Sequence, residues 1–136
     1  QGLNSRLVSS SIVLIDPQLE ELREERYVFS RDVLASILAK GFSVYSMAID
    51  RERQTIVIGG PSYILLLGFD DDRNIVRYTY IPDNGVYANY VFLGDGKLFY
   101  LSGSGEFLRV VDLTTWQLEK SLPLGQHFSV MTLIAI

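Results

Sequence analysis

The sequence holds no cysteine, and that absence excludes several chemistries at once. There can be no disulfide, no thiolate metal site and no cysteine nucleophile, and the redox compartment stays open. Histidine is nearly as scarce. His127 is the only one, which rules out a metal centre of several imidazoles and leaves an all-oxygen site open. Long hydrophobic runs are lacking too. The longest, such as Ile12 to Ile15 and Ile64 to Leu67, fall far short of the roughly 20 residues of a membrane-spanning helix. The chain shows no n-region and h-region pattern of a signal peptide. Nor does it carry a lysine or arginine cluster: twelve basic residues against sixteen acidic ones give a net charge of -4. Nucleic acid is therefore not an expected partner, and the acidic balance reads as a solvated surface.

What is present favours β-structure. A chain of 136 residues has the size of one domain. Hydrophobic residues make up 48% of it and aromatics 12%, with eight Tyr, seven Phe and one Trp. Together with frequent β-branched residues they favour strands over helices. Arg6 to Ile15 reads as a strand. Asp16-Pro17 then offers a helix start, with an Asp N-cap, Pro at the first helical position and Glu20 and Glu21 near the positive end of the dipole. That helix is expected to be short and polar, with Leu19 and Leu22 on one face and Arg23 and Arg26 toward its far end. Tyr27-Val28-Phe29 suits a brief strand. Arg31 to Lys40 is a second helix: Asp32 can cap it, Val33, Leu34, Ile37 and Leu38 share a face, and Gly41 fits just past its end.

From Phe42 onward short apolar runs alternate with turn residues. Strands are expected at Val44 to Ile49, Thr55 to Gly59, Ile64 to Phe69, Ile75 to Ile81, Val86 to Leu93, Lys97 to Ser102, Phe107 to Asp112 and Gln117 to Leu122. Phe128 to Ile136 begins another. Turns at Asp50 to Arg53, Gly60-Pro61-Ser62, Asp70 to Arg73, Gly94-Asp95-Gly96, Gly103-Ser104-Gly105 and Leu113-Thr114-Thr115 separate them, the pattern of an antiparallel meander.

The strands also repeat. A shift of 42 residues lays Val44-Tyr45 on Val86-Tyr87, Ile56-Val57-Ile58 on Leu98-Phe99-Tyr100 and Leu65-Leu66 on Phe107-Leu108. It also lays Phe69-Asp70 on Val111-Asp112 and Val76 on Leu118, and a further 42 residues carries Val86 to Phe128. Ile15-Asp16 gives the apolar-Asp pair once more, and the helical insertion between Asp16 and Phe42 accounts for its wider spacing.

Four strands per unit of about 40–45 residues is the arrangement of a β-propeller blade. The unit from Gly94-Asp95-Gly96 through Lys97 to Ser102, Val110-Val111-Asp112 and Trp116 to Leu122-Pro123-Leu124-Gly125 resembles WD-repeat and YVTN-type propeller blades. Val111-Asp112 stands where those blades carry Trp-Asp, and Gly125-Gln126-His127 is a loose relative of their Gly-His element. The departure removes the Asp–His network of a strict WD repeat. The resemblance covers Gly41 to Leu124 best and the first forty residues least. It implies an all-β fold, four-stranded antiparallel meander blades of a partial β-propeller with one or two short helices inserted near the N-terminus. Within a single domain, 1–136, residues 41–84 and 85–127 form whole blades. Residues 1–30 and 128–136 form partial ones, and 31–40 is the helical insertion.

Candidate chemistry is sparse. His127 with Asp112 and Ser129 or Ser121 can be named as a triad, although a loop histidine suffices to explain it. Asp70-Asp71-Asp72 and Asn74 alternate oxygen ligands as calcium loops do, but Ile75 stands where such a loop needs Gly. Gly103-Ser104-Gly105 resembles the start of a phosphate-binding loop but leads into a strand, so a hairpin turn is the better reading. Tyr45, Tyr78, Tyr80, Tyr87, Tyr90, Phe92, Phe99 and Tyr100 are expected to pack between blades rather than stack on bases, since no basic residues interleave with them. No catalytic residue, cofactor-binding residue or metal ligand is assigned.

The chain starts at Gln1 and stops inside the apolar run Val130 to Ile136, and it counts under three blades where closed propellers have four to eight. It is accordingly expected to be a piece of something larger. The expected function is a non-catalytic protein-interaction or scaffold module, with remaining propeller blades, a partner chain or another copy as its partner. A fragment of a propeller enzyme, such as a YVTN-like lactonase or hydrolase, and a self-contained β-sandwich binding domain are the alternatives.

Overall fold

A computed structural model describes residues 11–16, 23–41, 43–60, 62–82, 91–102 and 106–124. The expected strands at Arg6 to Ser10, Val86 to Tyr90 and Phe128 to Ile136, and the helix start at 17–22, lie outside these residues.

The described chain is mostly β with one helix. Strand β1 (Ser11–Asp16) pairs antiparallel with β2 (Arg23–Phe29), Ser11 opposite Val28 and Asp16 opposite Arg23. Arg23 and Arg26, expected near the end of a polar helix, therefore lie in a strand. Tyr27 and Phe29 explain the difference. Both are buried while Glu24, Arg26 and Val28 are exposed, and only a period of two puts the two rings on one side; a helix would set them about 200° apart.

Helix α1 (Arg31–Lys40) forms where the apolar spacing places it. Ser30, not Asp32, occupies the N-cap, without a side-chain cap bond, and Asp32 sits in the first turn. Gly41 ends the helix with φ 88°, a conformation that costs a residue with a Cβ. Val33 and Ile37, one turn apart, are buried. Leu38 was expected on the same face but points outward, because the helix presents only a narrow stripe to the sheet.

Strands β3 (Ser46–Asp50), β4 (Thr55–Gly59), β5 (Tyr63–Phe69) and β6 (Asn74–Pro82) follow as consecutive antiparallel neighbours. The β1–β2 hairpin joins the far edge of β6, giving one sheet of order β1-β2-β6-β5-β4-β3. The join is parallel, Val28 opposite Asn74 and Phe29 opposite Ile75, which departs from the expected all-antiparallel pairing. It can be parallel because α1 and β3 to β5 intervene, a crossover long enough to bring the chain back in the same direction. Val28 N–H donates to Arg73 O and Ser30 N–H to Ile75 O, each at 2.9 Å. A second sheet contains β7 (Phe92–Gly94), β8 (Lys97–Ser102), β9 (Phe107–Asp112) and β10 (Gln117–Pro123), antiparallel in the order β10-β9-β8-β7.

Strands β4 and β5 are buried on both sides, and side-chain alternation sorts their residues into two cores. Ile56, Ile58, Leu65 and Leu67 face Ile12, Tyr27, Phe29, Val33, Ile37 and Ile75. Val57, Ile64 and Leu66 face the other way, onto Leu98, Tyr100, Val111, Leu113 and Trp116 of the second sheet. The result is a layered arrangement: the helix and hairpin, the central strands, then the second sheet.

Trp116 clamps the two sheets. Its φ of 60° lifts it out of the β9–β10 turn, and its indole Nε1–H donates to Thr55 Oγ1 at 3.2 Å. The Thr55 hydroxyl in turn donates to Arg53 O at 2.9 Å, so this fully buried polar side chain is satisfied. The Arg77 guanidinium lies 3.8 Å from the centre of the Trp116 ring. Arg77 reaches it by crossing β5 at Gly68, where a Cβ would stand 2.6 Å from Arg77 Nε. Truncating Trp116 to Ala is expected to cost about 3–5 kcal/mol of stability. Urea unfolding followed by far-ultraviolet circular dichroism measures it; a loss below about 1 kcal/mol would show that the sheets do not depend on this ring.

Candidate functional site

The β3–β4, β5–β6, β7–β8 and β9–β10 turns gather at one end of the two sheets, and a cluster of charged residues gathers with them. The aspartates there hold the turns. Asp70 Oδ1 accepts the N–H groups of Asp72 and Asn74, each at 2.9 Å. Asp112 Oδ1 accepts Thr114 N–H at 2.8 Å, and Asp50 Oδ1 accepts Arg53 N–H at 3.1 Å. The apolar-Asp pair that repeats in the sequence thus closes the third strand of each meander by satisfying the turn after it. These bonds stabilise the ionised form: the Asn74 N–H holds Asp70, and the Thr114 N–H holds Asp112, below the ordinary carboxylate range.

Glu25 links the β1–β2 hairpin to the same rim. Its carboxylate pairs with Arg51, accepts the Tyr27 hydroxyl at 3.0 Å and lies 3.8 Å from Arg73. The Arg51 hydrogen bond lowers its pKa against the opposing effect of partial burial. Between the two sheets, Ile49 to Arg53 and Leu93 to Gly96 line an open cleft of about 390 Å³. Arg53 crosses it from Asp50, at 3.2 Å, to Gly96, whose φ of 72° and contact with the guanidinium both exclude a side chain. The cleft holds charges of both signs, and Arg53 pairs there with Asp50 and Glu52.

The opposite end is aromatic. Tyr63 and Tyr80 meet edge to face with centres 5.2 Å apart, and Tyr78 adds a second such contact with Tyr80 at 5.9 Å. Tyr63 Oη accepts Ser43 N–H at 2.9 Å and donates to Ser43 O at 3.0 Å. Lys40 Nζ sits 4.8 Å over the Tyr80 ring. Lys40, Tyr63 and Tyr80, with Ser62 and Pro82, border a shallow pocket of about 550 Å³. Burial, then the neighbouring Tyr63 and Tyr78, pushes the Tyr80 phenol up to about 12.

Among the described residues, those named from sequence do not converge. His127, Ser129, Gly103-Ser104-Gly105, Tyr87 and Tyr90 lie outside the described residues. Ser121 sits opposite Arg109, three residues along β9 from Asp112 and so about 10 Å away; the two cannot share a triad. The Asp70 loop caps a hairpin, with Asp71 accepting Gln54 Nε2 at 2.8 Å. Among the described residues no group of three or more His, Cys, Asp or Glu is placed to hold a metal ion, and no helix is long and apolar enough to cross a membrane. Of the aromatics, Tyr100 packs between the sheets as expected, Phe92 and Phe99 meet at 6.3 Å, and Tyr45 is exposed. Sequence reasoning missed the Glu25–Arg51–Arg73 cluster and the Trp116–Arg77 contact. Their members are distant along the chain and carry no spacing signal.

Both ends set the pH dependence of folding. Glu25, Asp70 and Asp112 have depressed folded pKa values, so their stabilisation is full above the ordinary values of 4.5 and 3.8 and is lost as pH falls through the folded ones. Melting temperature is expected to hold near neutrality and drop below pH 4.5, less steeply in Glu25→Gln; an equally steep drop in that variant would remove Glu25 from the account. Tyr80 acts in the opposite sense. Its raised pKa keeps its contribution intact below its ordinary value of 10.0 and loses it between there and about 12. Tyr80→Phe is expected to flatten the alkaline decline, and unchanged alkaline melting curves would contradict it.

Comparison with known proteins finds no matching family model, no matching curated protein and no matching solved structure.

Proposed function

We propose that this chain is a non-catalytic protein-interaction or scaffold module built of β-propeller-type blades, a segment of a larger propeller completed by another chain segment or copy. One observation carries the reading. Two consecutive four-stranded antiparallel meanders, β3 to β6 and β7 to β10, lie face to face over a shared apolar core. Successive blades of a propeller stack in this way. The rim supports this reading, because Asp50, Asp70 and Asp112 are engaged by their own turns and Arg51 and Arg53 by carboxylates. The fold analogy supplies the interaction role, since a blade array offers its loops and faces to other chains.

A second reading, a self-contained β-sandwich binding domain, draws on the same two packed sheets. Light scattering after size-exclusion chromatography separates them. A module that needs completion is expected to self-associate beyond its 15.4 kDa or to require a partner for a homogeneous state. A monodisperse 15.4 kDa monomer that unfolds in one step across a wide concentration range would sink the segment reading and leave the sandwich.

A further inference from the structure

Lys40 is set apart from other cations of this fold. Arg51, Arg53, Arg73 and Lys97 each meet a carboxylate, but among the described residues no carboxylate pairs with Lys40. Its ammonium instead lies 4.8 Å from the centre of the Tyr80 ring, at the border of the aromatic pocket. A lysine in the last helical turn suits the helix dipole wherever its side chain points. Placement over a ring of another strand is a further constraint. It keeps the charge at the pocket rather than in open water.

The walls of this pocket are held by the protein's own contacts. The Tyr63 hydroxyl accepts Ser43 N–H and donates to Ser43 O. The Tyr63 ring lies against Gly60, where a Cβ would stand 2.3 Å from Tyr63 Cζ. Tyr80 makes edge-to-face contacts with Tyr63 and Tyr78, which steady its ring. Its hydroxyl reaches Gly41 O only at 3.4 Å, longer than an ordinary O–H···O bond, so it is free to turn to a better acceptor. Tyr63 and Tyr80 are half-buried while Lys40, Ser62 and Pro82 are exposed, so the space of about 550 Å³ opens to solvent. That volume lies within the roughly 300–1,000 Å³ of small-molecule sites.

Among the described residues the lining is two rings, a proline, one ammonium and the hydroxyls of Ser62 and Tyr80, without a carboxylate. Such a set complements a flat apolar body that carries a negative charge. A cationic guest would meet the Lys40 charge already seated over Tyr80. We propose that this pocket binds a small planar carboxylic acid, its ring packed on Tyr63, Tyr80 and Pro82 and its carboxylate paired with Lys40. Ser62 and Tyr80 donate hydrogen bonds to the same carboxylate. The site is built by the end of α1, the start of β5 and the end of β6, so it does not depend on the blade reading.

Three ligands with one ring system and different charge test it on the full chain: indole-3-acetate, the neutral tryptophol and the cationic tryptamine. Binding is followed through backbone amide shifts of isotope-labelled protein. Indole-3-acetate is expected to shift Ser62, Tyr63 and Tyr80 and to bind about fivefold or more tighter than either of the others. Lys40→Met keeps the apolar stem and is expected to remove that preference while tryptophol binding stays unchanged; Lys40→Arg is expected to retain it. The comparison of ligands on the unaltered chain needs no variant. Tryptophol or tryptamine binding as tightly as the acid, or a preference that survives Lys40→Met, would overturn the assigned charge. No saturable shift at these residues, or shifts confined to Asp50 to Arg53 at the rim, would overturn the site itself.

Discussion

Everything in this chain depends on two strands that must be covered on both sides. Every residue of β4 and Ile64 to Gly68 of β5 is buried, which leaves neither face free for water. A sheet apolar on one face alone can lie against a single layer, but this one needs two. The helix supplies one cover and the second sheet the other. At about 25 cal/mol per Å² of apolar area removed from water, those two covers are the dominant favourable term for the whole arrangement.

Polar groups are placed so that this layering leaves few of them stranded. Thr55 is fully buried at the start of β4, yet its hydroxyl serves both Arg53 O and the Trp116 indole. The Arg77 guanidinium spans a glycine to lie on the same ring. Three of the rim turns are held by an aspartate at the end of the strand before them, Asp50, Asp70 and Asp112, so strand ends and turn geometry are decided together there. Glu25 extends this logic between segments by tying the first hairpin to the turns of the first meander.

The strands from Thr55 to Leu122 were legible because their apolar runs and Gly/Asp turns obey local rules, and the structure places Thr55–Gly59, Lys97–Ser102 and Phe107–Asp112 where those rules do. Arg23 to Arg26 was misread as helix because charged residues satisfy both periodicities, and only burial of Tyr27 and Phe29 decides between them. Leu38 was assigned to the buried face because a helical pattern shows which residues neighbour one another, not how wide a stripe the sheet will cover. The rim cluster and the aromatic pocket were not legible. Glu25, Arg51 and Arg73, or Tyr63 and Tyr80, meet only once the sheet is assembled.

By itself the sequence determined helix α1, most of the strands from Thr55 on and the turn chemistry between them, because each rests on contacts within a few residues or on a pattern with a fixed period. It also excluded thiol and multi-histidine chemistry by simple count. Tertiary structure alone decided that the first hairpin joins β6 in parallel, that alternate residues of β4 and β5 serve different cores, and that the helix covers one face of those strands. Those outcomes turn on which apolar surfaces meet. Hydrophobic burial is non-directional, so no local spacing announces its partner.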